Sequence, residues 1–346
     1  MKVGIDIRNI SNNNQSFCND FINYYLLNKK DNLLNIYSSK YFELENKIYN
    51  KNFYSFFGEQ VNFLKQLLKD KNDSLITFEE TFPIFYKNNV IQIIPSLEKI
   101  LYPEIEKTKF FKKYSYLYII KKNLKNSKNI VCFSQATKKE LNEKLNISED
   151  KIKIINPFFP SSPNADLVID IKTKLSLKND YLIYDYNYFS NNNLKRTLEF
   201  LKEINKDKAI SLVILGNKNA NNKEIRELIL SLNIEKLIIF AGNPENKELS
   251  SYYKQSLGVI YPIVYNNFPI TLNNAINYNT PIYISDGEEN KEIFGDLVTY
   301  FSPISVSSMI KNFPLFLENS KSFNGYDKIK NRYNIKNFFD NLTSLI

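Results

Sequence analysis

The chain has 346 residues, more than one hydrophobic core usually holds, and its hydrophobic fraction of 43% is ordinary for a folded protein. It contains no histidine and only two cysteines, so the commonest general base is absent and no zinc site is expected. The net charge of +9 is compatible with a nucleic acid, an anionic membrane surface or a phosphorylated ligand. No apolar run approaches the roughly 18 residues of a membrane-spanning helix, which predicts a soluble chain. Cys18 and Cys132 lie far apart in apolar segments, which fits a reducing cytoplasm, with the inner face of the membrane as a further candidate location.

The first half of the chain alternates predicted strands with predicted helices. It opens with a buried strand over residues 2–7, a polar turn over residues 8–16 and a helix whose apolar positions recur at helical spacing from Phe17. Later strands are predicted at residues 35–39, 74–78, 88–97, 129–134 and 151–156, and later helices at residues 61–68, 109–128 and 136–146. This order is typical of a parallel α/β sheet.

A segment over residues 157–167 carries three prolines and two serines between periodic stretches, which indicates a linker between domains. The alternation then restarts, and a helix over residues 333–346 closes the chain. Strands are predicted at residues 181–188, 210–217, 237–242, 258–264 and 281–285, and helices at residues 192–205, 223–233, 246–256 and 270–277.

The pattern predicts an α/β fold with two Rossmann-like, doubly wound parallel-sheet domains that face a central cleft. We expect an N-terminal domain over residues 1–158 and a C-terminal domain over residues 159–330. A terminal helix over residues 331–346 is expected to pack back toward the N-terminal domain. Ligands of doubly wound sheets bind beyond the carboxyl ends of the strands, so the cleft is the expected binding site.

Several segments, taken in order, resemble one family. KVGIDIRNISNNNQSFCNDFINYYL looks like the family's N-terminal strand, glycine-rich loop and helix, and ISLVILGN, NKELSSYYKQSLGVIYPIVYNNF and NNAINYNTPIYIS follow in matching order. Over nearly its whole length the chain resembles the retaining GT-B glycosyltransferases of the glycogen-synthase and mannosyltransferase type (glycosyl transferases group 1). The resemblance implies transfer of a sugar from a nucleotide sugar to a cell-envelope glycan or lipid-linked acceptor, with retention. It implies no metal and no cofactor, because the nucleotide sugar is a substrate.

The donor side departs most clearly from the family. Where the family has two glutamates that orient the sugar and bind the ribose, this chain has Asn266 and Asn274. An amide still forms hydrogen bonds, but it cannot pair with a developing positive charge. The resemblance assigns no catalytic residue, and it places these candidates at the donor site: Arg8, Asn12, Asn13, Gln15, Asn192, Lys195, Arg196, Asn266, Phe268, Ile270, Thr271 and Asn274.

Two phosphate-binding features of the family are also altered. Its glycine-rich loop falls on Asn12, Asn13 and Gln15, whose side chains would hinder close approach of a donor phosphate. Its basic pair falls on Asn191 and Asn192, so the nearest cations lie one helical turn further along the chain. At these positions the chain has amide side chains, where the family has glycine or basic residues.

The acceptor side is altered in the same direction. The family's His-Asp pair falls on Pro95 and Ser96, and an acid at the end of its N-terminal domain falls on Gln135. Neither Pro95 nor Ser96 can act as a general acid or base, or stabilise a charge. We take these three residues as the candidates on the acceptor side.

Residues 107–128 form a basic, amphipathic predicted helix rich in lysine and aromatic residues. Relatives that act on lipid-linked acceptors dock on anionic membranes through such a face, so an anionic membrane surface is a candidate partner. The alternative is a core-facing helix with a solvated basic edge. No nucleic-acid-binding fold accompanies the charge, so a nucleic acid is not expected as a partner.

Two functions therefore stay open at the level of sequence. One is a glycosyltransferase that binds a nucleotide sugar and a glycan or lipid-linked acceptor. The other is a catalytically inactive glycosyltransferase-like binding or scaffold subunit, beside a partner glycosyltransferase.

Overall fold

The computed structural model of the protein describes residues 1–8, 12–29, 32–38, 49–50, 58–102, 110–162, 168–186, 193–216, 222–265 and 268–346. The chain divides into two compact units. One is formed by Met1–Phe159 together with Arg332–Ile346, and the other by Pro160–Asn331. Each unit is built on a parallel sheet with helices between its strands, which confirms the expected α/β class.

The first unit carries its strands and helices in regular alternation. They are β1 (Lys2–Asp6), α1 (Asn12–Asn28), β2 (Leu33–Ser38), β3 (Tyr49–Asn50), α2 (Leu64–Asp70), β4 (Ser74–Thr77), β5 (Asn89–Ile93), α3 (Glu98–Leu101), α4 (Phe110–Asn126), β6 (Asn129–Cys132), α5 (Gln135–Leu145) and β7 (Ile152–Ile154). A π-helical segment, Gly58–Phe63, leads into α2. The strand order is β3-β2-β1-β4-β5-β6-β7, so the order reverses between β1 and β4.

The second unit repeats this plan. Its elements are α6 (Ile171–Lys174), β8 (Asp180–Asp185), α7 (Leu194–Ile204), β9 (Ile210–Leu215), α8 (Lys223–Leu232), β10 (Ile238–Gly242), α9 (Asn246–Lys254), β11 (Gly258–Tyr261), α10 (Asn273–Asn277), β12 (Ile282–Ser285), α11 (Glu288–Phe294), β13 (Thr299–Phe301), α12 (Val306–Lys321) and α13 (Asp327–Arg332). The strand order is β10-β9-β8-β11-β12-β13, which reverses between β8 and β11.

Burial follows the sequence pattern that predicted the elements. Every residue of β9 is buried, as expected for an inner strand of a parallel sheet with helices on both faces. In α7, the buried Leu194, Leu198 and Leu201 recur at helical spacing and form the face that packs on the sheet.

The last helix, α14 (Ile335–Thr343), belongs to the first unit, where it packs against α1. The rings of Phe21 and Phe338 lie 5.7 Å apart, and those of Tyr25 and Phe339 lie 5.6 Å apart, both edge to face. Such pairs each contribute about 0.5–1.5 kcal/mol beyond their buried area. The end of the chain is therefore held by aromatic packing on α1.

The first helix begins earlier than the sequence predicted. α1 starts at Asn12, so the predicted polar turn is wrong for residues 12–16, and Asn12, Asn13 and Gln15 are helical rather than part of a loop. These positions contain no glycine or proline, and asparagine and serine are well tolerated at the start of a helix. The family's glycine-rich loop is thus replaced here by a helical turn.

The longest element that the sequence analysis missed is α12, which contains Pro314. Proline lacks an N–H group and usually ends a predicted helix. Here the buried side chains of Met309, Phe313 and Phe316 hold the helix on the sheet despite this loss. The Tyr283 hydroxyl donates a hydrogen bond to the Met309 carbonyl at 2.5 Å, next to the carbonyl that Pro314 leaves without its helical donor.

Candidate functional site

The carboxyl edge of β8 and β11 is the position where a doubly wound sheet normally binds a ligand, because the strand order reverses there. β8 ends at Asp185 and β11 ends at Tyr261. Asp185 is buried and accepts a hydrogen bond from the Tyr253 hydroxyl at 3.1 Å. Asp185 was missed in the sequence because one acid at the end of an apolar strand carries no distinctive spacing.

Asn193 connects the loops at this edge. Its Nδ2 donates to the carbonyl of Pro262, just beyond β11, at 3.1 Å and to the carbonyl of Pro303, beyond β13, at 2.5 Å. Its backbone is left-handed, with a φ of 38°, a conformation that asparagine adopts more readily than most residues. Asn193 is the N-cap residue of α7, yet among the described residues no side chain caps this helix. The N-terminus of α7 is therefore fixed at the switch point without a side-chain cap.

The two cations predicted near the donor phosphate lie in the first turn of α7 and are engaged within the unit. Lys195 forms an ion pair with Glu224, and its side chain is 58% exposed. Arg196 Nη1 donates to Asn193 Oδ1 at 2.9 Å, which links the cation to the residue that fixes the helix start. Both side chains are exposed and lie close to the α7 terminus, but each also has a local role.

The loop after β11 brings together three of the candidate donor residues. Phe268 is buried, and its carbonyl accepts from the Ile270 N–H at 2.8 Å. The hydroxyl of Thr271 donates to the Tyr261 hydroxyl oxygen at 3.2 Å. These contacts join the loop to the end of β11, so its turn is held by neutral hydrogen bonds.

Asn274 belongs to a cluster that includes the start of the second unit. Its Oδ1 accepts from the Ser162 hydroxyl at 2.7 Å, and the side chain is buried. Asn277 Nδ2 donates to the Pro160 carbonyl at 2.7 Å and to Ser162 Oγ at 3.0 Å. Burial raises the pKa of the Tyr278 phenol, and its hydrogen bond with Ser162 offsets part of that rise. The position that holds a ribose-binding glutamate in the family is thus tied to Ser162 through its oxygen.

A buried carboxylate, absent from the sequence candidates, lies on the same side of this sheet. Glu289 follows β12 in the first turn of α11 and is 1% exposed. β12 pairs with β11 in parallel, with Tyr261 opposite Ile284. The neighbouring Asn290 Nδ2 donates to the Ser285 carbonyl at 3.0 Å and so fixes the turn between β12 and α11. Glu289 escaped notice because the stretch 288–292 reads as an ordinary acidic helix start.

In the first unit, the corresponding edge between β1 and β4 is occupied by a buried ion pair. Arg8 Nε contacts Asp6 Oδ1 at 2.7 Å, and the two residues are 3% and 0% exposed. Thr77, at the end of β4, donates to Asp6 Oδ2 at 3.0 Å. Arg8 Nη2 also donates to the Thr81 carbonyl at 3.0 Å, and its guanidinium lies 3.8 Å from the Phe63 ring centroid. The donor candidate Arg8 is therefore engaged inside the first unit.

The acceptor-side candidates have local partners or lie at the surface. Ser96 Oγ accepts from the N–H of Glu98 at 3.1 Å, at the start of the short α3, and Pro95 is half-buried beside it. Gln135 is exposed as the first residue of α5, whose N-cap is Ser134. These positions do not contribute a charged group to the edge of the sheet.

Asn191, Asn192 and Asn266 lie outside the described residues. The structure describes the helical backbone of Asn12 and Asn13 but not their side chains, whereas Gln15 is half-buried in α1.

The described part of the basic helix has a clear division between its two faces. Ile119, Ile120 and Leu124 are buried, and Leu117 packs on the same core cluster. The opposite face exposes these residues: Tyr114, Tyr118, Lys121, Lys122 and Lys125. The structure therefore combines a core-facing side with an exposed aromatic and basic side.

The described residues offer neither a metal site nor a membrane-spanning helix. They contain no group of three or more Cys, Asp or Glu side chains placed to hold a metal ion. Within the same ranges, no helix is long and apolar enough to cross a membrane.

Comparison with known proteins gives one family match. Residues 169–332 match the family model described as glycosyl transferases group 1, which is nearly the whole second unit. The chain is 22% identical over 287 residues to the O-antigen chain mannosyltransferase RfbU of Salmonella typhimurium, and the alignment covers 82% of this chain and 75% of RfbU.

Solved structures resemble the whole chain. The Anabaena HepE protein in complex with UDP-glucose superposes with a TM-score of 0.74 at 10% identity, covering 99% of this chain and 98% of HepE. WaaG, a glycosyltransferase involved in lipopolysaccharide biosynthesis, superposes with a TM-score of 0.72 at 11% identity, covering 99% of both chains. At these identities the structural likeness establishes the fold alone, which is that of GT-B glycosyltransferases.

Proposed function

We propose that the chain is a group 1 glycosyl transferase, the family that residues 169–332 match, and that it transfers a sugar from a nucleotide sugar to a cell-envelope glycan or lipid-linked acceptor, with retention. RfbU acts on an O-antigen chain and WaaG in lipopolysaccharide biosynthesis, which supports an acceptor of the cell-envelope class. The UDP-glucose complex of HepE supports a nucleotide-sugar donor. The nucleotide sugar is the substrate, and the proposal requires no cofactor.

The observation that carries this proposal is the N-terminus of α7, which Asn193 holds at the β8/β11 switch point. The N–H groups and the dipole of a helix N-terminus favour an anion. A donor diphosphate placed there would also lie near Lys195 and Arg196, which occupy the first turn of the same helix. Because Asn193 directs its side chain to backbone carbonyls, it does not occupy the N–H groups that a diphosphate would use.

The neighbouring loop would contribute neutral contacts to the donor. Thr271 and Asn274 supply a hydroxyl and an amide, and Phe268 supplies apolar surface. Catalysis at such a site depends on positioning the donor and on stabilising the leaving phosphate with oriented N–H groups. Replacing charged contacts with neutral ones costs on the order of 1 kcal/mol per contact, so we expect donor dissociation constants above about 100 μM.

An anionic membrane would present a lipid-linked acceptor to the first unit. The exposed face of α4 combines Tyr114 and Tyr118 with three lysines, the arrangement that favours binding at a lipid surface. We expect replacement of Lys121, Lys122 and Lys125 by serine to reduce sedimentation with anionic vesicles by about tenfold at low salt.

The matched control replaces three exposed lysines of the second unit, namely Lys206, Lys208 and Lys223. It changes the net charge equally but leaves α4 intact. Equal loss of sedimentation in both triple variants, or equal recovery with neutral vesicles, would remove the membrane assignment.

A second function is favoured by one observation, the internal engagement of the donor candidates. Asn274 Oδ1 is occupied by Ser162, and Lys195 is paired with Glu224. A subunit that binds a nucleotide sugar without reacting, beside an active partner glycosyltransferase, would need no more than these neutral contacts.

Calorimetric titration with UDP-glucose, GDP-mannose, UDP and GDP, followed by product analysis, separates the two functions. Weak binding with sugar hydrolysis or transfer supports the enzyme. Binding without turnover, also in the presence of a lipopolysaccharide or lipid-linked acceptor, supports the inactive subunit. The absence of binding by all four compounds would contradict both.

A further inference from the structure

The orientation of the Asn277 amide is fixed by a backbone carbonyl. Asn277 Nδ2 lies 2.7 Å from the Pro160 oxygen, which can only accept a hydrogen bond. The amide nitrogen must therefore face the segment Pro160–Ser162. The same nitrogen lies 3.0 Å from Ser162 Oγ and donates its second hydrogen there.

This donation determines what the Ser162 hydroxyl can do next. A serine hydroxyl has one hydrogen and two lone pairs. Asn277 fills one lone pair of that hydroxyl oxygen. The serine hydrogen is then directed to Asn274, 2.7 Å away, and its acceptor there is Oδ1.

Asn274 is left with an unused donor. Its Oδ1 accepts from Ser162, and Asn273 Nδ2 lies 3.5 Å from the same oxygen. Among the described residues none accepts a hydrogen bond from Asn274 Nδ2, although the residue is only 6% exposed. An amide hydrogen with no acceptor among these residues can be donated to an oxygen of a ligand.

We propose that Ser162 is a positioning residue that makes Asn274 a hydrogen-bond donor only, so that this position selects an accepting oxygen of the ligand. The proposal rests on the proposed nucleotide-sugar function. A glutamate at the same position could only accept while ionised and would select a hydroxyl hydrogen. The accepting oxygen belongs either to the diphosphate, to the nucleoside or to the sugar.

The test replaces the donor amide with an acceptor of the same shape. For Asn274→Asp we expect UDP-glucose affinity to fall at least about tenfold near neutral pH, because two accepting oxygens then face each other. The affinity should recover as the pH is lowered, because a protonated carboxyl regains a donor. UDP-glucose suits this titration, since it lacks the ionisation near pH 6 of a terminal phosphate.

Comparison of three probes identifies which ligand oxygen is recognised. If Asn274→Asp loses affinity for uridine, UDP and UDP-glucose alike, the recognised oxygen belongs to the nucleoside. If it loses affinity for UDP and UDP-glucose but not for uridine, the oxygen belongs to the diphosphate. If it loses affinity for UDP-glucose alone, the oxygen belongs to the sugar. The charge control is Asn279→Asp, because exposed Asn279 uses its Oδ1 to accept from Tyr326 N–H and Lys330, and an aspartate keeps both contacts.

The positioning role of Ser162 is tested separately. Ser162→Ala should weaken UDP-glucose binding several-fold and flatten the pH response of the Asn274→Asp variant, while Ser162→Thr, which retains a hydroxyl, should restore both. Thermal melting of each variant identifies any loss of folding. Should Asn274→Asp bind UDP-glucose as tightly as the wild type or more tightly, the assignment of a donor is overturned. Failure of the wild type to bind any probe would instead overturn the proposed function, and this assignment with it.

Discussion

The two units share a strand order but complete their switch points with different chemistry. In the first unit, the edge between β1 and β4 contains the Asp6–Arg8 ion pair, which is almost completely buried. In the second unit, the edge between β8 and β11 is joined by the Asn193 amide bound to two backbone carbonyls. The same topology therefore carries an internal ion pair in one unit, whereas in the other Asp185 is bonded to a tyrosine hydroxyl and the loops are joined by amide hydrogen bonds.

This difference bears on which edge can bind a ligand. A buried ion pair has exchanged its hydration for internal partners, so using Arg8 for a ligand would leave the Asp6 charge uncompensated. The β8/β11 edge, where no described side chain caps the N-terminus of α7, can accept an anion without breaking an ion pair of this kind. We infer that the β1/β4 edge is structural and that the β8/β11 edge is the one suited to a donor.

The largest effect is expected from breaking the buried Asp6–Arg8 ion pair. Arg8→Ala should destabilise the first unit by about 3–5 kcal/mol, because it leaves buried Asp6 without its cation. Urea unfolding monitored by thiol labelling reports this unit, since both cysteines are buried within it. Replacement of the exposed Lys144, which pairs with Glu140 in the same unit, should cost no more than about 1 kcal/mol. A loss below about 1 kcal/mol for Arg8→Ala would mean that Arg8 is available for a ligand.

The second expected effect is a difference between the two units in stability at alkaline pH. Burial raises the pKa of more tyrosines in the described part of the second unit, including Tyr181, Tyr184, Tyr283 and Tyr326, than in the first. A raised folded-state pKa means that stability is complete below about pH 10, the ordinary tyrosine value, and is lost as the pH rises above it. Each such tyrosine contributes up to about 1.4 kcal/mol per pH unit to that loss.

The second unit should therefore unfold at a lower alkaline pH than the first. Tyrosinate absorbance follows the ionisation of all tyrosines, while thiol labelling follows the first unit alone. We expect the cooperative rise in absorbance to precede labelling of Cys18 and Cys132 as the pH increases. Labelling at the same or a lower pH would contradict the difference between the units.

The smallest expected effect concerns the hydrogen bonds that Asn193 forms at the β8/β11 edge. Asn193→Gly keeps the left-handed backbone but removes the hydrogen bonds to Pro262 and Pro303, which should cost about 1–3 kcal/mol. The control is Asn233→Gly at the end of α8, where φ is 56° and glycine is favoured, so stability should change little. UDP affinity should fall in Asn193→Gly only; an equal fall in both variants would contradict the role of Asn193.

The fold could be predicted well from periodicity, because inner parallel strands such as β9 are continuous apolar runs and helices such as α7 carry a regular apolar face. Where prediction was wrong, tertiary packing outweighed a local signal. α12 continues through Pro314 because its buried aromatic side chains hold it on the sheet. α1 extends back to Asn12 because a polar sequence without glycine or proline suits a helix start as well as a turn.

The candidate site could be predicted less completely, because the role of each residue depends on contacts with residues that are distant in the sequence. The sequence identifies Asn274, but Ser162, which occupies its oxygen, lies 112 residues away. Arg8 was a donor candidate until its pairing with Asp6 was known. Asn193 was not among the candidates, because the family resemblance pointed to the residues on either side of it. Its hydrogen bonds to Pro262 and Pro303 have no sequence signature.

The most direct test of the difference between the two edges is hydrogen exchange of the whole chain, measured by mass spectrometry with and without saturating UDP-glucose. We predict that ligand protection appears in peptides covering the start of α7 and residues 268–277, which flank the β8/β11 edge. Peptides around β1 and β4, including Arg8, should exchange at the same rate in both samples. Protection centred on the β1/β4 edge, with none at the start of α7, would contradict the assignment of the donor to the β8/β11 edge.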